Sequence, residues 1–159
     1  MNETKPDLIP FCMQARKFAS QGRVEDALEL YGEVLRLDPE NTLALADRGT
    51  VFAMNKQFEP ALRDLEAAFQ HGYAEASAFS TAGTICLETQ QFDKALLHYK
   101  RAVELNPDYP FTYFNRANVY YALGNKDAAI ADLETCLSLG GADDFRQLVF
   151  KRMAEIRQA

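Results

Sequence analysis

ALELYGEVLRL (27–37), ALRDLEAAFQH (61–71), ALLHYKRAVEL (95–105) and AIADLETCLSL (129–139) follow one another at a constant interval, each beginning on an alanine. Four residues after the alanine stand Tyr31, Leu65, Tyr99 and Leu133, and seven after it Val34, Ala68, Ala102 and Cys136. Spacings of four and seven put these positions on one face of a helix. The register also extends backwards. Sixteen residues before each alanine is a large apolar residue (Phe11, Leu45, Phe79, Tyr113), and twelve before it a small one (Ala15, Gly49, Gly83, Ala117). Nine before it come Phe18, Phe52, Cys86 and Tyr120. Each period therefore holds two helices, an A helix carrying the first set of columns and a B helix carrying the second.

The stops agree. Asp38-Pro39 and Asn106-Pro107 end two B helices, because proline pushes the residue before it out of the α region. His71-Gly72 and Gly140-Gly141 end the other two through a permissive cap. Gly22 and Gly124 open the A-to-B turns of the outer repeats, and Lys56-Gln57 and Gln90-Gln91 sit in the inner ones. Helices are expected over 8–20, 24–37, 42–55, 58–71, 76–89, 92–105, 110–123 and 126–139. Residues 144–158 read as a ninth helix with Asp143 or Asp144 as N-cap and an apolar stripe of Phe145, Leu148, Val149, Met153 and Ile156. Phe150 lies off that stripe.

These columns resemble the tetratricopeptide repeat, a helix–turn–helix unit of about 34 residues. The weakest column is the usual leucine three after the first large residue, here Gln14, Arg48, Ala82 and Arg116. The resemblance implies an all-α, right-handed α-solenoid of four hairpins (8–41, 42–75, 76–109, 110–143) closed by a capping helix, in a single domain over 1–159. It also implies that the A helices line a concave groove. Small residues where helices cross let the backbones approach, and stacking buries stripes that no hairpin buries alone.

Composition narrows the function. The net charge is −6 and the pI about 4.9, which argues against nucleic acid and against anionic membranes. No apolar run reaches the roughly 20 residues of a membrane-spanning helix. The N-terminal stretch up to Lys17, with Glu3, Lys5, Asp7 and two prolines, has no apolar leader core, so a cytoplasmic protein is expected. Cys12, Cys86 and Cys136 have neither disulfide-framework nor zinc spacing and read as buried thiols, a redox-sensing Cys12 being the lesser reading. His71 and His98 stand in no metal motif, and no nucleophile, phosphate or dinucleotide signature is present. No catalysis, cofactor or metal is expected. Asp127 and Asp132 invite no pairing beyond helix electrostatics, and Glu25, Asp26, Glu29 and Glu33 read as a solvated B-helix face.

A protein or peptide partner in the groove is the expected function. The groove-facing offsets of the A helices give Met13 and Arg16; Asp47, Thr50 and Met54; Thr81 and Thr84; and Phe111, Phe114, Asn115, Asn118 and Tyr121. Cys12 falls on the same offsets. The middle rows form a low, mildly polar floor. The last row is aromatic on a helix that also carries Tyr113 and Tyr120 on its packing face, so something must cover its second face. Two readings remain open there. Phe111, Phe114 and Tyr121 either anchor apolar side chains of a bound peptide, with Asn115 and Asn118 fixing its backbone, or pack against the neighbouring A helix and the final helix. Met13 and Met54 add adaptable contacts.

Family members that clamp the C-terminal carboxylate of heat-shock chaperones use lysine, asparagine and arginine at positions occupied here by Cys12, Arg16, Asp47, Ser77 and Thr81. Only Arg16 is basic and Asp47 should repel a carboxylate, so that activity is not expected. A chaperone for secreted proteins and a self-assembling scaffold are the alternatives, with a monomer or a weak homo-oligomer as the expected state.

Overall fold

The computed structural model describes residues 6–158, so Glu3 and Lys5 lie outside the described residues. Every regular element among the described residues is an α-helix: α1 (Ile9–Ser20), α2 (Val24–Leu37), α3 (Thr42–Met54), α4 (Phe58–Gln70), α5 (Ala76–Glu88), α6 (Phe92–Leu105), α7 (Pro110–Ala122), α8 (Lys126–Leu139) and α9 (Asp143–Gln158). The first eight helices lie within one residue of the expected bounds at either end. Two compact units result, Met1–Ala74 and Glu75–Ala159.

In the first unit, α1 pairs with α2 and α3 with α4, and α2 packs on α3. Its core gathers Leu8, Cys12, Ala15, Ala27, Tyr31, Val34, Ala44 and Val51. In the second, α5 pairs with α6 and α7 with α8, and α9 lies on α8. Ala117, Ala129, Leu133 and Cys136 there meet Phe145, Val149, Met153 and Ile156 of α9. Leu148 is the exception to the expected stripe, since it stays exposed, as Phe150 does. Asp143 and Asp144 lie inside the first turn of α9 rather than at its cap, where their charge still favours the positive end of the helix.

The small-residue columns sit where helices cross. The four periodic alanines, Ala27, Ala61, Ala95 and Ala129, are fully buried. A Cβ added at Gly49 would lie 2.9 Å from Leu65 Cγ and 3.1 Å from the Ala61 carbonyl oxygen, and one added at Gly83 would lie 2.8 Å from the Tyr99 ring.

The arginines of the irregular column have a structural reason. Arg48 donates to Asp64 through Nε and Nη2 at 2.6 and 2.9 Å, and Arg116 to Asp132 at 2.8 and 2.7 Å. Both carboxylates are buried, so Asp132, which reads in the sequence as unpaired, is one half of an ion pair inside the α7–α8 hairpin. In both pairs the arginine stands on the A helix and the aspartate on the B helix of one hairpin. Burial without a partner would cost each charge several kcal/mol. The aspartate holds the Arg116 guanidinium above its ordinary pKa.

The first and third hairpins carry tyrosine instead; Tyr99 bonds within its own hairpin, while Tyr31 on α2 reaches Asp47 on α3 of the next. Tyr31 and Tyr99 occupy the column filled by Leu65 and Leu133. The Tyr31 hydroxyl donates to Asp47 at 3.3 Å, and that of Tyr99 meets Thr84 Oγ1 at 2.9 Å. Burial pushes the Tyr99 hydroxyl up to about 12. The two polar devices thus alternate along the chain, tyrosine in the first and third hairpins and the arginine–aspartate pair in the second and fourth.

Each A-to-B turn places one residue in the left-handed region: Gly22 (φ 76°), Lys56 (58°), Gln90 (58°) and Gly124 (77°). A side chain there costs about 1 kcal/mol. Lys56→Gly and Gln90→Gly should therefore each raise unfolding stability by about 0.5–1 kcal/mol in urea titrations, and Gly22→Lys should lower it by as much. An unchanged midpoint for all three would refute the strain argument.

Candidate functional site

In the first unit, α1 and α3 present the offsets expected to face a groove. Arg16 projects from α1 and donates to Asp47 on α3 through Nε (3.2 Å) and Nη2 (2.9 Å to each oxygen). Asp47 also accepts from Tyr31. The arginine side chain is 59% exposed and the aspartate 15%. Hydrogen bonding to Asp47 raises the Arg16 pKa, while burial, followed by the nearby Asp47 charge, raises that of Tyr31.

Below this pair lies a cavity of about 330 Å³. Ala19, Val51 and Met54 supply apolar wall, Tyr31 and Thr50 complete it, and Arg16 and Asp47 stand at its side. Thr50 Oγ1 donates to Ala46 O at 2.9 Å, so its hydroxyl is already satisfied. Met54 and Met13 are among the most exposed apolar side chains, at 76% and 64%. Cys12 is buried in the core, as its reading as a buried thiol expected, so it does not line the groove although it falls on the groove-facing offsets; burial raises its thiol pKa.

In the second unit the polar floor is internally bonded. Thr81 and Thr84 donate to the carbonyls of Ser77 and Ser80, and Ser80 meets Thr112 at 3.0 Å. The second face of α7 meets α9. The Phe145 ring lies tilted at 36° with its centroid 4.2 Å from that of Phe111, and edge-on at 5.7 Å from that of Phe114. Arg152 donates to Asn118 Oδ1 at 2.8 Å and lies 4.7 Å over the Tyr121 ring. The contact with the final helix that the packing reading expects is therefore made. Phe111 remains 46% exposed and Asn115 partly so.

The site residues missed in the sequence are Tyr31, Val51 and Arg152. The column that holds Tyr31 reads as packing. Its hydroxyl, absent from the leucines at the same column, is the signal that this position also faces a polar group.

Sequence profiles described as tetratricopeptide repeat match residues 12–75, 83–124 and 110–142. The chain belongs to the tetratricopeptide repeat family. Its fold is that of tetratricopeptide solenoids. YrrB, described as a tetratricopeptide protein with an unusual peptide-binding site, superposes with a TM-score of 0.85 at 25% identity, over 97% of this chain and 78% of that one. MamA gives 0.78 at 22% identity, over 94% and 91%, a likeness of fold alone. Anaphase-promoting complex subunit 3 of Schizosaccharomyces pombe is 26% identical over 98 residues, 62% of this chain but 15% of that protein. The chain matches well under half the length of its curated relatives. Tetratricopeptide repeats support a protein–protein interaction module and are typically non-catalytic scaffolds. No helix among the described residues is long and apolar enough to cross a membrane.

Proposed function

We propose that this tetratricopeptide protein is a non-catalytic cytoplasmic module, a single domain working as a monomer, that holds a peptide segment of a partner on its A-helix faces. The observation that carries this reading is the cavity between α1 and α3, apolar on its walls, with an arginine fixed at its side. Its volume sits at the lower end of ligand pockets, enough for one partner side chain. Met13, Arg16, Asp47, Thr50 and Met54 form the principal contact. Thr81, Thr84, Phe111 and Asn115 offer a second, shallower one, while Phe114, Asn118 and Tyr121 serve α9. A preformed surface needs little ordering on binding, which favours affinity. The peptide-binding site ascribed to YrrB supports the same reading for this chain.

Peptides selected from a random displayed library on the immobilised protein provide the test, with affinities measured by calorimetry. Thr50→Arg, which fills the cavity, should weaken selected peptides at least tenfold, and Phe150→Ala on the far side of α9 should leave them unchanged. Equal affinity for wild type and Thr50→Arg would refute the site.

A further inference from the structure

Arg16 is an arginine with one edge unused among the described residues. Nε and Nη2 are engaged by Asp47, and Nη1 makes no hydrogen bond among the described residues. The ion pair clamps the guanidinium in one orientation, so its remaining donors are preorganised. Asp47 is the shielded partner and its oxygens are engaged by Arg16 and Tyr31, so the group a ligand meets is the cation. The repulsion expected from Asp47 in the sequence is thereby largely cancelled.

The apolar surface of this face continues past Arg16. On one side lies the cavity bounded by Ala19, Val51 and Met54. On the other are Ile9 and Met13, both exposed, and half-buried Leu43. At about 1.5 Å per helical residue, Met13 and Ser20, which also lines the cavity, stand about 5 and 6 Å from Arg16 along α1. An extended peptide advances about 3.3 Å per residue, so its contacts fall two residues to either side of the arginine.

We infer that, within the peptide-binding reading above, the ligand is an internal extended segment of the pattern apolar–x–acidic–x–apolar, with its carboxylate on Arg16 Nη1 and one aliphatic side chain in the cavity. Charge complementarity selects the acid. A chain end would leave one of the two apolar surfaces unused, which selects an internal segment. The chain's net charge of −6 opposes an acidic ligand only at a distance, since screening over about 8 Å at physiological salt leaves the local arginine in control.

Acetyl-Gly-Leu-Thr-Glu-Thr-Leu-Gly-amide and its Glu-to-Gln analogue are the probes, titrated by calorimetry into wild type, Arg16→Gln, Arg16→Lys and Thr50→Arg. The acidic peptide should bind wild type about tenfold more tightly than the analogue. Arg16→Gln should erase that preference, Arg16→Lys should keep part of it, and 500 mM salt should shrink it. Thr50→Arg should weaken both peptides. Arg16 is exposed, so helicity of its variants should be unchanged and confirms folding. Equal affinity for the two peptides, a preference that survives Arg16→Gln, or no binding of the acidic peptide at millimolar concentration overturns this inference. The cavity remains the binding site in those cases if library peptides still respond to Thr50→Arg; if they do not, the broader reading fails as well.

Discussion

Replacing Arg116 with alanine should lower the unfolding free energy by about 3 kcal/mol, among the larger losses available to a single substitution in this chain. Asp132 would remain at the α7–α8 contact with no cation, and both of its charge-assisted hydrogen bonds would be gone. The guanidinium also lies 5.4 Å over the Tyr113 ring and 5.9 Å over Tyr120, contacts that alanine removes. The loss comes from the stranded carboxylate more than from the missing attraction. The double replacement Arg116→Met with Asp132→Leu, similar in volume and uncharged, should therefore return to within about 1 kcal/mol of the parent. Urea denaturation of the parent, Arg116→Met, Asp132→Leu and the double variant closes the cycle. A single-variant loss below about 1 kcal/mol would mean that water reaches Asp132 and that the pair is only a surface contact.

The second large effect is steric. Gly49→Val should cost about 3 kcal/mol, because its Cβ would meet Leu65 Cγ at 2.9 Å, the Ala61 carbonyl at 3.1 Å and Asp64 Cβ at 3.3 Å before its methyl groups are placed. Two of these neighbours are a backbone oxygen and a side chain root, which move only if α4 moves away from α3. That shift would also pull Asp64 from Arg48. Gly83→Ala tests the milder case. Its Cβ would meet atoms of the buried Tyr99 ring at 2.8–3.0 Å, but alanine adds no further methyl groups, meets no backbone atom there and gains up to about 1 kcal/mol of helix propensity, so its net loss should be smaller. Thermal unfolding ranks the two. Gly83→Ala losing more than Gly49→Val would refute the crossing-point account.

The fold was legible because its determinants recur. One alanine column states little, but four in register with large and small columns fix the helices, and Asp38 and Asn106 end theirs in the extended region that a following proline imposes. The candidate site was legible only in part. Arg16, Asp47, Thr50 and Met54 share a face because helical offsets place them there. That Arg16 would reach Asp47 depends on the approach of α1 to α3, which periodicity does not specify. Arg48 and Arg116 look like defects in an apolar column because their partners, Asp64 and Asp132, lie on the following helix. In the sequence Arg152 is only a favourable charge towards the end of α9, and its contact with Asn118 and Tyr121 follows from how α9 lies against α7.

Neighbour-only bonding sets the tempo at which this protein forms. Arg48 and Asp64, Arg116 and Asp132, and Thr84 and Tyr99 are joined by short loops within single hairpins, and even Arg152 reaches back only to Asn118. Short loops of that size close in well under a microsecond and cost little entropy. The chain thus has low contact order and should refold in the microsecond-to-millisecond range rather than in seconds.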